Sequence, residues 1–153
     1  MCAMRISLLP FVLPMLLAAC GSAPPENLGL GGGGLAPCPE TPNCVSSIAS
    51  QSDSVHYIAP FEYRDSHADS RLRLITLLKN PPGKESVTIV ETDENYIRAE
   101  FRTSFLRFTD DVEFYFPPDE KIVHLRSASR VGRSDLGANR RRIEELRELF
   151  TKR

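Results

Sequence analysis

The stretch VTIVETDENYIRAEFR, residues 87–102, decides the fold class of this chain. In its second half Ile97, Ala99 and Phe101 alternate with charged side chains. A period of two is typical of a β-strand with one buried face. The polar run 92–95 predicts a turn, so residues 87–91 and 96–102 are expected to form an antiparallel pair.

Two further strands are predicted downstream, at about 105–116, with a bend at Thr109 and Asp110, and at about 121–129. The turn 117–120 separates them, and a four-residue loop there sets Phe116 opposite Lys121. Apolar residues then face one another on one side of the pair, and charged or titratable residues on the other. The expected pairs are Val112 with Leu125, Phe114 with Val123, Asp111 with Arg126, and Glu113 with His124.

Two helices flank the strands. Residues 65–80 carry one apolar face and end before a Pro-Pro-Gly sequence that cannot continue a helix. We expect this face to consist of Ala68, Leu72, Ile75 and Leu78. The stretch ANRRRIEELRELF, 138–150, predicts a second helix with Asp135 as its N-cap. Its expected apolar face consists of Leu136, Ile143, Leu146 and Phe150.

These elements predict a single α+β domain over residues 38–153. It contains a four-stranded antiparallel sheet, with a candidate fifth strand at 55–61, and two helices packed on one face. The net charge of the chain is −1 at pH 7, so no strongly basic domain is present and we expect no nucleic-acid partner.

Residues 1–19 have the layout of a secretory signal peptide. Arg5 precedes the apolar run 6–17, which is shorter than the roughly 20 residues that a membrane-spanning helix needs. The end of this segment, Leu17-Ala18-Ala19-Cys20, resembles the lipobox of bacterial lipoproteins. The resemblance implies cleavage before Cys20 and lipid attachment to its sulfur. The alternative is an ordinary signal peptide that happens to end at a cysteine.

A lipid on Cys20 would make the membrane a partner of this chain, with the folded domain facing the periplasm. Gly21 and Ser22 follow where inner-membrane lipoproteins carry aspartate, so the resemblance implies the outer membrane rather than the inner one. Residues 20–37 are rich in Gly and Pro and predict a flexible tether, with a root-mean-square span of about 20 Å.

Cys38 and Cys44 enclose the short sequence PETPN. In an oxidising envelope such a pair is most simply a disulfide. The alternatives are a redox pair, or half of a metal site completed by His56 or His67. Because neither CxxC spacing nor a recognisable zinc pattern is present, we expect no metal and no cofactor.

Three motifs together resemble the bacterial and plastid family named domain of unknown function 1499. They are CPETPNCVSS at 38–47, FTDDVEFYF at 108–116 and RSASRVGRSDLGANRRRI at 126–143. The resemblance covers about 38–149, nearly the whole folded part. It implies a family identity but no activity, because the family has no established one.

The last motif is also a candidate anion site. Guanidinium groups bind carboxylate or phosphate through paired hydrogen bonds, and the amide end of a helix favours an anion. The residues that would bind such a ligand are Arg126, Ser127, Ser129, Arg130, Arg133, Ser134 and Asn139. In the alternative interpretation, Asp110, Asp111, Glu113 and Asp135 neutralise the arginines internally. Arg140, Arg141 and Arg142 are expected to form a solvated helix face that pairs with Glu144 and Glu145.

A catalytic triad could consist of His124 as base, Asp110 or Asp111 as orienting group, and Ser127 or Ser129 as nucleophile. Along one strand, however, His124 and these serines point to opposite faces. We therefore expect no catalytic residue. The first hypothesis is a non-enzymatic envelope module that binds a small anionic molecule or a protein partner. A hydrolase-like enzyme and a purely structural envelope factor remain the alternatives.

Overall fold

The computed structural model describes residues 23–152, which form two helices and six strands. In chain order they are β1 Cys44–Ser46, β2 Phe61–Glu62, α1 His67–Lys79, β3 Ser86–Thr92, β4 Tyr96–Arg102, β5 Thr109–Tyr115, β6 Ile122–Ser129 and α2 Ala138–Thr151. The predicted signal peptide and Cys20 lie outside the described residues. Over the part that is described, no helix is both long and apolar enough to cross a membrane.

The strands form one antiparallel sheet in the order β1-β6-β5-β4-β3, and β2 also pairs with β6. The predicted α+β class is therefore confirmed. Of the candidate fifth strand at 55–61, only Phe61 belongs to a strand, which is β2. The three-residue β1 was not predicted, because so short a segment shows no period.

Both helices pack on one face of the sheet, α1 against β3 and α2 against β6, and they also contact each other. The core between the layers is apolar and fully buried. It contains Leu74, Leu78, Ile97, Ala99, Phe101, Val112, Phe114, Val123, Leu125, Ile143, Leu146 and Phe150. The opposite face of β4, β5 and β6 is polar.

The buried face of α1 differs from the predicted one. Leu74 and Leu78 are buried, whereas Leu72 is 63% exposed and Ala68 is exposed as well. The sequence RLRLITLLK is rich enough in leucine and isoleucine to provide more than one apolar face. Which leucines are buried is therefore determined by the packing of α1 against β3 and α2, and the helical period alone did not identify them.

The predicted register of β5 and β6 is wrong by two residues. Glu113 pairs with Arg126 and Tyr115 with His124. Phe116 donates its N–H to the carbonyl of Asn95 (2.9 Å), and the carbonyl of Lys121 accepts from the N–H of Tyr63 (3.1 Å). Both residues thus bond to other segments, and the connection lengthens to residues 116–121.

A shift of two residues leaves every side chain on its predicted face, because side chains alternate with a period of two. Val112 and Phe114 are in the core as expected. Asp111 and Glu113 are on the polar face.

The third predicted strand begins four residues too early. β5 starts at Thr109, and residues 103–108 form a loop closed by a hydrogen bond from the N–H of Thr103 to the carbonyl of Phe108 (2.9 Å). Arg107 has a φ of 54°, which a β-strand does not allow. Phe105 is 91% exposed at this loop.

The start of α2 also differs from the prediction. The N-cap position is Gly137, with a φ of 78°, and Leu136 lies outside the helix with its side chain 86% exposed. Asp135 nevertheless caps the helix from two residues further upstream. Its Oδ2 accepts from the N–H of Asn139 at 2.7 Å.

Candidate functional site

Arg126 is at the centre of the polar sheet face and is paired internally. Its Nη1 donates to Oε2 of Glu113 at 3.0 Å, and the two side chains are 3% and 0% exposed. The other oxygen of Glu113 accepts from the hydroxyl of Tyr96 (2.7 Å) and the N–H of Gly29 (2.8 Å). Burial, together with the charge of Glu113, raises the pKa of Tyr96, so this phenol is neutral at physiological pH.

Arg130 is on the same face and is held by two carboxylates. Its Nε and Nη2 donate to the two oxygens of Asp111 at 2.7 and 2.8 Å, and Nη2 also bonds to Glu100. The hydrogen bonds to Asp111 are the main reason why the pKa of Arg130 is raised. Arg98 adds a second cation to Asp111, with Nη1 at 3.3 Å from Oδ1. The charge of Arg130 is thus neutralised within the domain.

Arg142 belongs to a second buried network on the helix side of the sheet. Its guanidinium donates to Asp110 (2.6 Å), to both oxygens of Glu85 (2.7 and 2.9 Å) and to the Asn139 side-chain oxygen (2.8 Å). Burial alone would lower the pKa of Arg142, but these carboxylates raise it. The predicted solvated helix face is wrong at this position, because Arg142 is buried and pairs with strand residues.

Asn139 joins that network to three other segments. Its Nδ2 donates to the carbonyl of Asn43 (3.1 Å), to Oγ of Ser129 (3.0 Å) and to Oδ2 of Asp135 (2.9 Å). The hydroxyl of Ser127 donates to its Oδ1. These polar groups hold α2, β6 and the residue before β1 together.

The amide end of α2 is occupied by the chain's own carboxylate. Asp135 accepts from the N–H groups of Gly137 (3.0 Å) and Asn139 (2.7 Å). Burial would raise the pKa of Asp135, but these hydrogen bonds outweigh it and lower the pKa. An external anion would have to displace this carboxylate.

The structure therefore divides the seven residues of the predicted anion site into three groups. Arg126 and Arg130 are paired on the polar face, and Ser127, Ser129 and Asn139 are linked to one another and to α2. Arg133 and Ser134 are exposed in the loop 130–137. The contacts agree with the alternative of an internal network for the first two groups.

His124 contacts a serine that the sequence did not single out. Its Nδ1 lies 3.0 Å from Oγ of Ser47. The same Oγ accepts from the N–H of Leu125 at 2.9 Å, so it is held by the strand backbone. Asp110 and Asp111 bond to arginines instead, and within residues 23–152 no carboxylate bonds to His124. Because 77 residues separate Ser47 from His124, no local pattern could have revealed this pair.

The cysteines form the predicted disulfide, with Cys38 bonded to Cys44. Because both sulfurs are in the disulfide, neither can bind a metal ion as a thiolate. His56 bonds through Nδ1 to Asp53 at 2.7 Å, and the His67 ring packs edge-on against Phe116. In the described part of the chain, no three His, Cys, Asp or Glu residues are arranged to hold a metal ion.

A cavity of about 750 Å³ is lined by residues 62–65, by Arg73 of α1, by residues 120–122 and by Thr151 at the end of α2. Its walls carry charges of both signs. Arg73 pairs with Asp65, and the Lys121 ammonium donates to the Asp65 carbonyl at 2.8 Å. The lining as a whole carries three acidic and three basic side chains, so the cavity has no excess charge of one sign for a ligand.

Comparison with known families adds one finding. The model of the family described as "Protein of unknown function (DUF1499)" matches residues 34–150. The chain belongs to this family. The resemblance inferred from the three sequence motifs is thereby confirmed, and the DUF1499 match covers the whole sheet and both helices except the last residue of α2. No curated protein and no solved structure matched the chain.

Proposed function

We propose that this DUF1499 protein is a lipid-anchored cell-envelope module that binds a partner without catalysing a reaction. Two observations support the location. The sequence ending at Cys20 resembles a lipobox, and the Cys38–Cys44 disulfide suits an oxidising compartment outside the cytoplasm. The domain would then face the periplasm, and the Gly21-Ser22 pair favours the outer membrane.

The observation that carries the non-catalytic role is the internal neutralisation of the buried arginines. Arg126, Arg130 and Arg142 each bond to a carboxylate that is itself buried. Removing one partner of such a pair leaves an uncompensated buried charge, which is strongly destabilising. The charges of these arginines are therefore matched inside the domain, and the loss of any one of them would leave a buried carboxylate without its cation.

The remaining polar residues of the motif favour a binding surface in the loop 130–137. Arg133 and Ser134 are exposed there, next to the exposed loop 103–108. The N–H of Arg130 donates to the carbonyl of Thr109 (3.2 Å), which joins the bases of the two loops. The partner would be a small anionic molecule or an envelope protein.

The contact between His124 and Ser47 is the one observation that favours a hydrolase-like enzyme. Such an enzyme would need His124 to accept a proton from a hydroxyl free to attack a substrate. The Ser47 hydroxyl is instead held by the backbone of Leu125. This contact alone therefore does not support catalysis, which an activity assay can test.

The anchor is tested by mass spectrometry of the mature N-terminus after expression in a bacterium. We expect a peptide that begins at Cys20 and carries diacylglyceryl and acyl groups. The Cys20→Ser variant should lose both the modification and the membrane attachment. A mature chain that begins at another residue, or an unmodified Cys20, would contradict the proposal.

The binding role is tested by thermal unfolding of the Cys20→Ser chain with phosphates, lipid headgroups, nucleotides and cell-wall fragments. A ligand at a hundred times its dissociation constant adds about 2.7 kcal/mol, which raises the midpoint by several degrees. We expect Arg133→Ala to abolish the shift without changing the midpoint of the free protein. Arg130→Ala should lower that midpoint whether or not ligand is present.

One result would reject the non-catalytic role, and another would exclude a small anionic ligand and leave an envelope protein as the partner. Conversion of any compound to product, lost in His124→Ala, would establish an enzyme. The absence of any shift, with a low midpoint for Arg130→Ala, would leave the arginine motif a purely structural role and direct the search to protein partners.

A further inference from the structure

Large apolar side chains are exposed at one end of the sheet, where β4 and β6 end and β3 and β5 begin. We call this end the loop end, formed by residues 38–43, 80–85, 103–108 and 130–137. Its exposed apolar residues, with their exposed fractions, are Phe105 91%, Leu136 86%, Leu106 60%, Phe108 44% and Val131 44%. An apolar concentration of this kind on a protein surface indicates an interaction site.

Hydrogen bonds hold the loops of this end in fixed positions relative to one another. The Thr103 hydroxyl accepts from the N–H of Phe108 at 2.9 Å, and the Ser104 hydroxyl donates to the carbonyl of Lys84. The side-chain amide of Asn43 donates to the carbonyl of Gly132 at 2.7 Å. The exposed apolar side chains therefore lie on loops that hydrogen bonds connect to one another.

Exposed cations also belong to the loop end. Lys84, Arg107 and Arg133 are exposed at the loop end. Of the nearby acids, Glu85 is paired with the buried Arg142, whereas Glu40 and Asp135 keep their negative charges. Three exposed cations against these two acids leave the loop end, with its aromatic and aliphatic side chains, a small net positive charge.

The segment that leads to Cys20 restricts how far the domain can move from the membrane. The N–H of Gly29 is bonded to Glu113 in the middle of β5. The nine residues from Gly29 back to Cys20 can extend at most about 30 Å. From Glu113 to Thr109, at the loop end of the same strand, the distance along the strand is about 13 Å. A lipid on Cys20 therefore keeps the loop end within reach of the surface to which the lipid is anchored.

We propose that the loop end binds the surface of an anionic phospholipid membrane. Phe105 and Leu106 enter the boundary between headgroups and acyl chains, and Arg107 and Arg133 contact the phosphates. An apolar tip flanked by cations is the composition that interfacial membrane binding requires. The inference rests on the proposed function for the location of the domain and names the membrane itself as the partner.

The test measures co-sedimentation with vesicles for the chain from position 20 onward carrying Cys20→Ser. This chain contains every residue that the structure describes and has no lipid of its own. Mixed vesicles of phosphatidylethanolamine and phosphatidylglycerol are compared with vesicles of phosphatidylcholine. We expect binding to the anionic vesicles, and a loss of affinity of about fivefold for Arg107→Gln because each cation near the surface contributes modestly.

The apolar contribution is measured with a matched pair of variants. Leu106 and Leu72 are 60% and 63% exposed, but Leu72 is on α1, away from the loop end. We expect Leu106→Ser and Phe105→Ser each to weaken vesicle binding about tenfold, whereas Leu72→Ser leaves it unchanged. Because these side chains are exposed, the variants should keep the wild-type unfolding midpoint.

Insertion can be measured independently by the fluorescence of a single introduced tryptophan, because the chain contains no tryptophan of its own. Phe105→Trp should show a blue-shifted emission when anionic vesicles are added, and quenching by brominated lipid. Leu72→Trp should show neither effect.

Equal vesicle affinity of Phe105→Ser and Leu72→Ser, or an unshifted emission of Phe105→Trp, would overturn the inference. Binding of the loop end to a detergent-solubilised envelope protein without any binding to vesicles would also overturn it, although the proposed function would survive. Failure of the lipid anchor is detected separately, by the mass of the mature N-terminus, since the vesicle assay does not use Cys20.

Discussion

Buried charge governs the stability of this domain at the scale of single residues. Arg142 bonds to Asp110 on β5, to Glu85 just before β3 and to Asn139 one turn away on α2. One guanidinium therefore joins α2, β5 and the connection that precedes β3. Its fork of donors can satisfy several acceptors at once, which a lysine at this position would not do.

Arg142→Ala should lower the free energy of unfolding by about 3–5 kcal/mol, because it leaves Asp110 buried without its cation. Arg141→Ala is the matched control, since Arg141 is exposed on the same helix and its guanidinium donates to the carbonyl of Leu136 rather than to a buried carboxylate. That change should remain within about 0.5 kcal/mol of the wild type. Urea unfolding measures both values, and similar losses in the two variants would contradict the internal network.

Asp135 predicts a specific pH dependence. Its pKa is lower in the folded protein than the ordinary 3.8, so the charged form contributes stability at pH values above about 4, and that contribution is lost as the pH falls below 4. Asp135→Asn keeps an acceptor for the helix amides but removes the charge. We expect the wild type to be more stable than this variant at pH 7, by less than about 1 kcal/mol because the site is partly exposed.

The difference should shrink below pH 4, as measured by urea unfolding of both proteins across that range. A difference independent of pH would mean that the charge of Asp135 does not stabilise α2.

At the scale of secondary-structure elements, the residue pattern predicted which segments form strands better than it predicted which residues pair across strands. The strands β3, β4 and β6 begin and end within about one residue of the predicted positions, because an alternating period is a local property of the chain. The register of β5 and β6 was wrong because it depends on bonds from Phe116 and Lys121 to Asn95 and Tyr63. Asn95 and Tyr63 lie in other connections of the chain. The register was predicted from the length of the β5–β6 loop alone, which takes no account of them.

Helix α1 provides a test of the buried face. Leu74→Ala should destabilise the domain by about 2–5 kcal/mol, because it removes a fully buried side chain from the core. Leu72→Ala should change stability by less than about 0.5 kcal/mol, since that side chain is 63% exposed. Thermal midpoints of the two variants decide the point, and the reverse order would restore the face predicted from the helical period.

At the scale of the whole molecule, the segment predicted as a tether contacts the folded domain. Gly29 bonds to Glu113, Gly31 and Gly34 form a short bridge, and Leu35 is only 5% exposed. The family match likewise begins at residue 34, before the disulfide. These contacts place the last part of the Gly-rich segment against the domain.

A chain shortened to start at Ala36 should therefore be less stable than one that starts at Ala23. Burial of one leucine side chain contributes about 1.5–3 kcal/mol, and Leu35→Ala in the longer chain should reproduce most of the loss. Leu30→Ala is the control, because Leu30 is 43% exposed. If all of these chains unfold at the same midpoint, the segment acts as a tether along its whole length.

The sequence by itself determined the α+β class, both helices, the four main strands and their faces, the disulfide and the family. Each of these depends on residue types at short separations, where period, turn residues and motif spacing are visible. Only the tertiary structure decided which carboxylate pairs with which arginine, that Ser47 contacts His124, and that apolar loop tips share one end of the sheet. Those relations join residues that are far apart in the chain, and they depend on a strand register that long-range hydrogen bonds establish.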